Sequence, residues 1–173
     1  MKLLSRDDIL RALQALASEL ASPTEIIVGG GAALVLLYDA RAATKDVDAF
    51  VLASTDPASV REAARRVAQT LDLPENWLND GAKGYLHGLL PGEVLFQRAP
   101  LTVRSVAPRQ LLAMKLSAWR DDIDIADARL LLSKLAGSSD EVWKQIEPYL
   151  VPGRELKARY AFEDLWELER GPS

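Results

Sequence analysis

The sequence predicts a small mixed α/β (α+β) sheet flanked by helices, with a C-terminal helical cap. Three observations predict it. Short apolar runs of strand length alternate with helical periodicity as far as residue 106, and from Pro108 onward only helical periodicity remains. The 173 residues are 49% hydrophobic and 27% charged, enough for a core in one domain with a modest appendage. The expected division is an α/β core over 1–106 and a helical subdomain over 107–173.

The elements follow in order. Residues 5–20 read as an amphipathic helix, because Ile9, Leu10, Leu13, Leu16 and Leu20 recur at helical spacing behind a Ser5 cap. Ser22-Pro23 ends it, and residues 25–28 form a short strand. Gly29-Gly30-Gly31 reads as a sharp turn, after which 32–38 restarts as a buried helix. Residues 41–45 read as a loop and 46–52 as the next strand. Residues 57–71 form a second amphipathic helix with Pro57 in its first turn. The stretch 74–92 reads as irregular but packed, since it carries Trp77, Leu78, Tyr85 and Leu86. Two strands, 94–96 and 101–106, pair around Arg98-Ala99-Pro100. Helices are then expected at 108–119, 122–135, 139–149 and 154–168. Trp143, Tyr149, Tyr160, Phe162 and Trp166 read as the core of the helical part.

Composition removes several function classes. The chain has no cysteine, which excludes disulfides, zinc thiolate sites and thiol nucleophiles. The N-terminus becomes charged too early for a signal peptide, and no apolar run approaches the roughly 18 residues of a membrane span. No membrane partner and a cytoplasmic location are therefore expected. The formal net charge of -4 disfavours indiscriminate nucleic-acid binding. The basic clusters Arg61, Arg65, Arg66 and Arg154, Lys157, Arg159 read as solvated helix faces.

The stretch that carries chemistry runs from Gly29 to Asp48. Residues two apart in a strand face the same way, so Asp46 and Asp48 share one face with Cα atoms about 6–7 Å apart. Two carboxylates so placed repel, and a divalent cation resolves the conflict. Mg²⁺ or Mn²⁺ takes oxygen ligands, and two such ions about 3.5–4 Å apart clamp both oxygens of a phosphoryl displacement. A glycine turn opening a helix offers unhindered N–H groups and a positive dipole end, which suits a triphosphate. Each part also has a plain structural reading, a packing turn for the glycines and a solvated pair for the carboxylates. Their combination is the informative signal.

Lys115 shares a helical stripe with Leu111 and Trp119, on the apolar side. It reads either as a lysine snorkelling at the core edge or as a cation aimed at phosphate. Asp124 and Asp127 lie three apart on one helix face, available to Lys115, Arg120 or Arg129, or to accept a proton. The lone His87 has no partner for a zinc site.

Taken together, the Gly-Gly turn, Arg41-x-x-Thr44-Lys45-Asp46-x-Asp48, the Leu111-Leu112-Ala113-Met114-Lys115 helix with Arg120, and Asp124-x-x-Asp127 resemble the AbiEii-like nucleotidyltransferases and the related family DUF6036. The tract 73–80 is also similar, and the resemblance covers roughly residues 25–135. It implies a polymerase-beta-like nucleotidyltransferase fold. It also implies Mg²⁺-dependent transfer of a nucleoside monophosphate from a nucleoside triphosphate to an RNA (tRNA) or protein acceptor. Several relatives are toxins of toxin–antitoxin pairs, so a cognate antitoxin or toxin partner is implied as well. Carried over by position, Asp46 and Asp48 hold metal. Gly29, Gly30, Arg41, Thr44 and Lys45 lie at the nucleotide. Lys115 contacts phosphate, and Asp124 stands near the acceptor or orders Lys115.

The sequence departs from the superfamily twice. Gly29-Gly30-Gly31 stands where Gly-Ser is usual, and the strand 101–106 offers Arg104 where many members place a third carboxylate. Two other readings follow. One is an inactive, nucleotide-binding or antitoxin-like member of the fold. The other is a metal-dependent phosphodiesterase or nuclease using the same carboxylates.

Overall fold

The computed structural model describes residues 3–39, 41–52 and 56–171. Residues 1, 2, 172 and 173, at the outer limits of the two expected domains, lie outside the described residues. The fold is mixed α/β, and the chain divides into two compact units.

The first unit comprises Met1–Ala82 and Pro91–Val106. Its five-stranded sheet has the order β5-β4-β2-β7-β6, from strands β2 (Thr24–Val28), β4 (Val47–Val51), β5 (Leu78–Asn79), β6 (Pro91–Arg98) and β7 (Leu101–Val106). β2 runs antiparallel to β4 and parallel to β7, while β6 and β7 form an antiparallel hairpin. Helix α1 (Arg6–Glu19) starts at a capping box. Ser5 Oγ accepts from the Asp8 N–H at 3.2 Å, and Asp8 Oδ2 accepts from the Ser5 N–H at 3.0 Å. Ile9, Leu13 and Leu16 are buried on its inner face, and it packs on α3 (Pro57–Leu71). α3 begins where the periodicity places it, with Asp56 Oδ1 accepting from Ala58 N–H and Pro57 in the first turn.

Several elements here differ from the sequence reading, and β6 runs over Pro91–Arg98 rather than 94–96. Helix α2 spans Gly30–Tyr38, so Gly30 and Gly31 form its first turn and Gly29 is its cap. Inside the expected loop 41–45, β3 (Ala43–Thr44) pairs with β1 (Leu4–Ser5). Inside the expected irregular stretch, β5 pairs parallel to β4, with Asp48 opposite Asn79. Trp77 explains how that stretch is anchored. Its indole is fully buried, its Nε1–H donates to Ala64 O on α3 at 2.9 Å, and its carbonyl accepts from Val47 N–H at 2.7 Å.

The second unit comprises Lys83–Leu90 and Ala107–Ser173. The sequence reading assigned 83–90 to the core; in the structure it belongs with the helices. The reason is a long-range latch. The buried Gln110 side chain donates to His87 O and Gly88 O, both at 3.0 Å, and accepts from Leu90 N–H at 2.6 Å. Tyr85 adds to it, with the guanidinium groups of Arg120 and Arg154 at 5.4 and 5.0 Å from its ring centre. The helices are α4 (Pro108–Ala118), α5 (Asp122–Ser133), α6 (Ser139–Ile146) and α7 (Glu155–Arg170), with a 3-10 turn over Glu147–Tyr149. Phe162 is fully buried, its ring 5.4 Å from that of Trp143 and 5.7 Å from that of Trp166, whereas Tyr160, expected in this core, is exposed.

The two basic clusters differ from each other. Arg66 meets Glu19 and Glu62, and Arg65 approaches Glu75, all largely in solvent. In contrast, Arg154 donates to Ser117 O at 3.0 Å and Lys157 to Ala118 O at 2.8 Å. These are the last carbonyls of α4, which a helix leaves unpaired and where the dipole favours cations. Among the described residues, no helix is long and apolar enough to cross a membrane.

Candidate functional site

The first unit gathers most of the sequence-derived site around the start of α2. β4 starts at Val47, one residue after the expected start at Asp46; alternation sets Asp48 opposite the buried Val47 and Ala49, and Asn79, paired with Asp48, also reaches Asp46. The pairing register adds Phe50, Ile27 and Arg104 to the Asp48 face. β4 is also tied to the turn, since Gly29 N–H donates to Asp48 O at 2.9 Å.

Two glycines have a specific steric reason. Gly30 has φ +57°, and a Cβ built on it would stand 2.5 Å from Asp48 Oδ2. A Cβ on Gly31 would stand 2.7 Å from Arg41 Nη1 and 2.8 Å from Thr44 Oγ1. The turn therefore closes onto a carboxylate on one side, and onto a guanidinium and a hydroxyl on the other. Any side chain at Gly30 would collide with Asp48. Thr44 is buried and held by the β1–β3 pair, whereas Lys45 is exposed.

Sequence reasoning missed Asn79. Its Nδ2 donates to Asp46 Oδ2 at 2.8 Å and to Asn76 O at 3.1 Å, while its Oδ1 accepts from Gly81 N–H at 2.7 Å. Those three bonds fix the amide orientation, because a flipped amide would oppose oxygen to oxygen twice. Three residues after Asn79, Ala82 N–H donates to Asp48 Oδ1 at 3.0 Å. The segment 79–82 thus holds both carboxylates from one side. The available signal was Asn79-Asp80-Gly81, a turn sequence next to a buried tryptophan.

Two carboxylates so placed suit the all-oxygen preference of Mg²⁺ or Mn²⁺. Among the described residues, no three or more His, Cys, Asp or Glu side chains gather into a group able to hold a metal. A cation at Asp46 and Asp48 would complete its shell with water and substrate oxygens. Arg104, at the expected third-carboxylate strand, is engaged elsewhere. Its Nε donates to Glu25 Oε1 at 2.7 Å and its Nη1 to Gly92 O at 3.3 Å.

Lys115 and Asp124 belong to the second unit. Lys115 is 9% exposed, and its ammonium is bridged to Asp124 Oδ1 at 2.9 Å and Asp127 Oδ2 at 2.7 Å. It neither snorkels nor projects as a bare cation. Asp124 also accepts from Arg120 Nε at 3.0 Å and Arg120 N–H at 3.1 Å, and Asp121 caps α5 through Asp124 N–H. Burial alone would raise the Asp124 carboxyl. Hydrogen bonds from Arg120 and Lys115 outweigh burial and lower it from 3.8 to about 2. An acid held that low is a weak proton acceptor at neutral pH, so ordering Lys115 is the role its geometry favours. Arg129 pairs instead with Glu169 at 2.5 Å. His87 is exposed and contributes its backbone carbonyl to the Gln110 latch.

No family model, curated protein or solved structure matches the chain.

Proposed function

We propose that the chain is a Mg²⁺-dependent nucleotidyltransferase, moving a nucleoside monophosphate from a nucleoside triphosphate to an RNA or protein acceptor. The observation that carries this reading is the approach of the Gly30 backbone to Asp48 Oδ2 at the first turn of α2. A helix start offers N–H groups and positive potential to phosphate. A carboxylate at the same place offers oxygen ligands to a divalent cation, and a metal-bound triphosphate suits both.

Asp46 and Asp48 are the residues that would hold Mg²⁺, whose chemistry is to neutralise phosphate charge and orient the reacting oxygens. Gly29, Gly30 and Gly31 let the backbone approach the phosphates. Arg41 and Thr44, facing Gly31, supply a cation and a hydroxyl to the same groups. In the transfer, the acceptor hydroxyl oxygen bonds to the α-phosphorus. The bond to the pyrophosphate oxygen breaks, pyrophosphate leaves with the electron pair, and the hydroxyl proton passes to water. Positioning and charge compensation supply most of the rate. A toxin role with a cognate antitoxin, or tRNA as the acceptor, extends the same reading.

One observation favours a second reading, nucleotide binding without turnover in an antitoxin-like protein. Among the described residues no third carboxylate joins Asp46 and Asp48. The deciding experiment incubates the protein with α-labelled ATP, CTP, GTP and UTP, Mg²⁺ or Mn²⁺, and bacterial RNA or lysate. Label joined to an acceptor, and lost in Asp46→Ala and Asp48→Ala, supports transfer. Release of label without joining supports a phosphodiesterase. Absence of any turnover by the folded protein supports the binding reading.

A further inference from the structure

In the second unit, the segment 83–90 brings arginines and tyrosine rings together at two places. Arg120 and Arg154 stand 5.4 and 5.0 Å from the centre of the Tyr85 ring. Three residues on, a Cβ built on Gly88 would stand 4.0 Å from the Tyr149 ring, and Arg109 lies 6.0 Å from the centre of that ring. Both tyrosines are half-exposed. Lys157 extends the cluster, because its Nζ and the Arg154 guanidinium donate to the neighbouring carbonyls of Ala118 and Ser117. Most arginines of this unit are compensated: Arg120 pairs with Asp124, Arg129 with Glu169 and Arg159 with Glu163. Among the described residues, Arg109, Arg154 and Lys157 pair with no carboxylate. Arg154 and Lys157 each give one donor to a carbonyl, which leaves both their charge and further N–H groups.

We propose that this cluster binds a single strand of nucleic acid, its cations on the phosphates and its rings beside the bases. The repetition of two chemistries is the reason for this ligand. A strand repeats a charged phosphate and a flat base, and the cluster repeats a cation and a ring. An acidic peptide or an anionic lipid surface would meet the cations and leave the rings unused. Arginine also suits phosphate through its planar fork of donors. The formal net charge of -4 disfavours binding elsewhere on the chain, so the interaction is local, weak and sensitive to salt. It needs neither a divalent cation nor the transfer reaction, and it stands or falls separately from both.

The test titrates the full chain, in EDTA, into a fluorescein-labelled oligouridine strand and follows anisotropy across a salt series. The expected dissociation constant at low salt is on the order of 10–100 µM, and log K should fall against log salt with a slope of about -2, the value for three cations on a single strand. Arg109→Gln should weaken binding and make the slope shallower by about 0.7. Its side chain is exposed and pairs with no carboxylate, so the urea midpoint should not move. Lys157→Gln, at the other end of the cluster, should change the slope by the same amount. An oligoglutamate peptide of equal charge should displace the strand about tenfold less well than unlabelled oligouridine, because it brings no bases to the rings. Absence of binding by the folded chain at low salt overturns the proposal, as does a slope that neither substitution changes. Equal displacement by oligoglutamate overturns nucleic acid as the ligand in favour of an acidic peptide.

Discussion

Two pairs of aspartates, Asp46 with Asp48 and Asp124 with Asp127, are held in different ways. Asp46 and Asp48 lie half-buried at the start of α2, where the Asn79 amide and the Ala82 N–H hold one oxygen of each. Asp124 and Asp127 are buried in the helical unit, bridged by Lys115, with Arg120 also on Asp124. The difference teaches that spacing does not decide a carboxylate pair's role; the donors around it do. Charge-bearing donors compensate the second pair within the fold. In the first pair, the Asn79 amide and the Ala82 N–H each orient one carboxylate oxygen.

Breaking the ion-paired side should have the largest effect. Lys115→Met leaves two buried carboxylates without their shared cation, at an expected cost of about 3–5 kcal/mol in urea unfolding. A loss near zero would mean that the buried network is not needed for stability, and would undo the contrast between the pairs.

Acid should separate the two regions next. Because the folded Asp124 carboxyl is lowered to about 2, its contribution to stability is complete above roughly pH 4 and is lost as pH falls from there through about 2. The urea midpoint should fall across that window in the native chain. Asp124→Asn, less stable at neutral pH, should lack this component of the fall. Parallel acid profiles for the two proteins would contradict the assignment.

Two milder substitutions sharpen the other side. Gly30→Ala combines positive-φ strain of about 1–2 kcal/mol with a Cβ driven at Asp48 Oδ2. It should weaken binding of a Mn²⁺–nucleotide complex about tenfold or more, by calorimetry, beyond what its stability loss explains. Asn79→Ala removes an orienting partner of Asp46, and such partners are typically worth about 10–100-fold in metal affinity. Its unfolding free energy should change by only about 1 kcal/mol. Unchanged affinity in Asn79→Ala would show that Asp46 is placed by β4 alone.

The legible parts of the fold were those with periodic signals. Residues 57–71 and 101–106 carry full-length patterns and match α3 and β7. Ser5 was visible as a cap because capping is local chemistry. β3 and β5 were hidden because strands of two residues have no period and exist only through distant partners. The placement of 83–90 depends on Gln110, some twenty residues downstream, which no local pattern reports. At the site, Asp46, Asp48 and the glycines were readable from spacing. Asn79 was not, because its role depends on the Asp48–Asn79 register of two short strands. Helical phase placed Lys115 inside, but spacing left Asp124 and Asp127 open to Lys115, Arg120 or Arg129, and the bridge forms across two helices.

The most direct measurement is calorimetric titration of the native chain, Asp46→Asn and Asp48→Asn with nucleoside triphosphate in the presence of Mn²⁺, beside urea unfolding of all three. The account predicts metal-dependent nucleotide binding by the native chain, at least a tenfold loss in each variant, and unfolding midpoints that barely move. Equal binding by all three proteins would contradict it, and would remove the strand-end carboxylates from any role in the site.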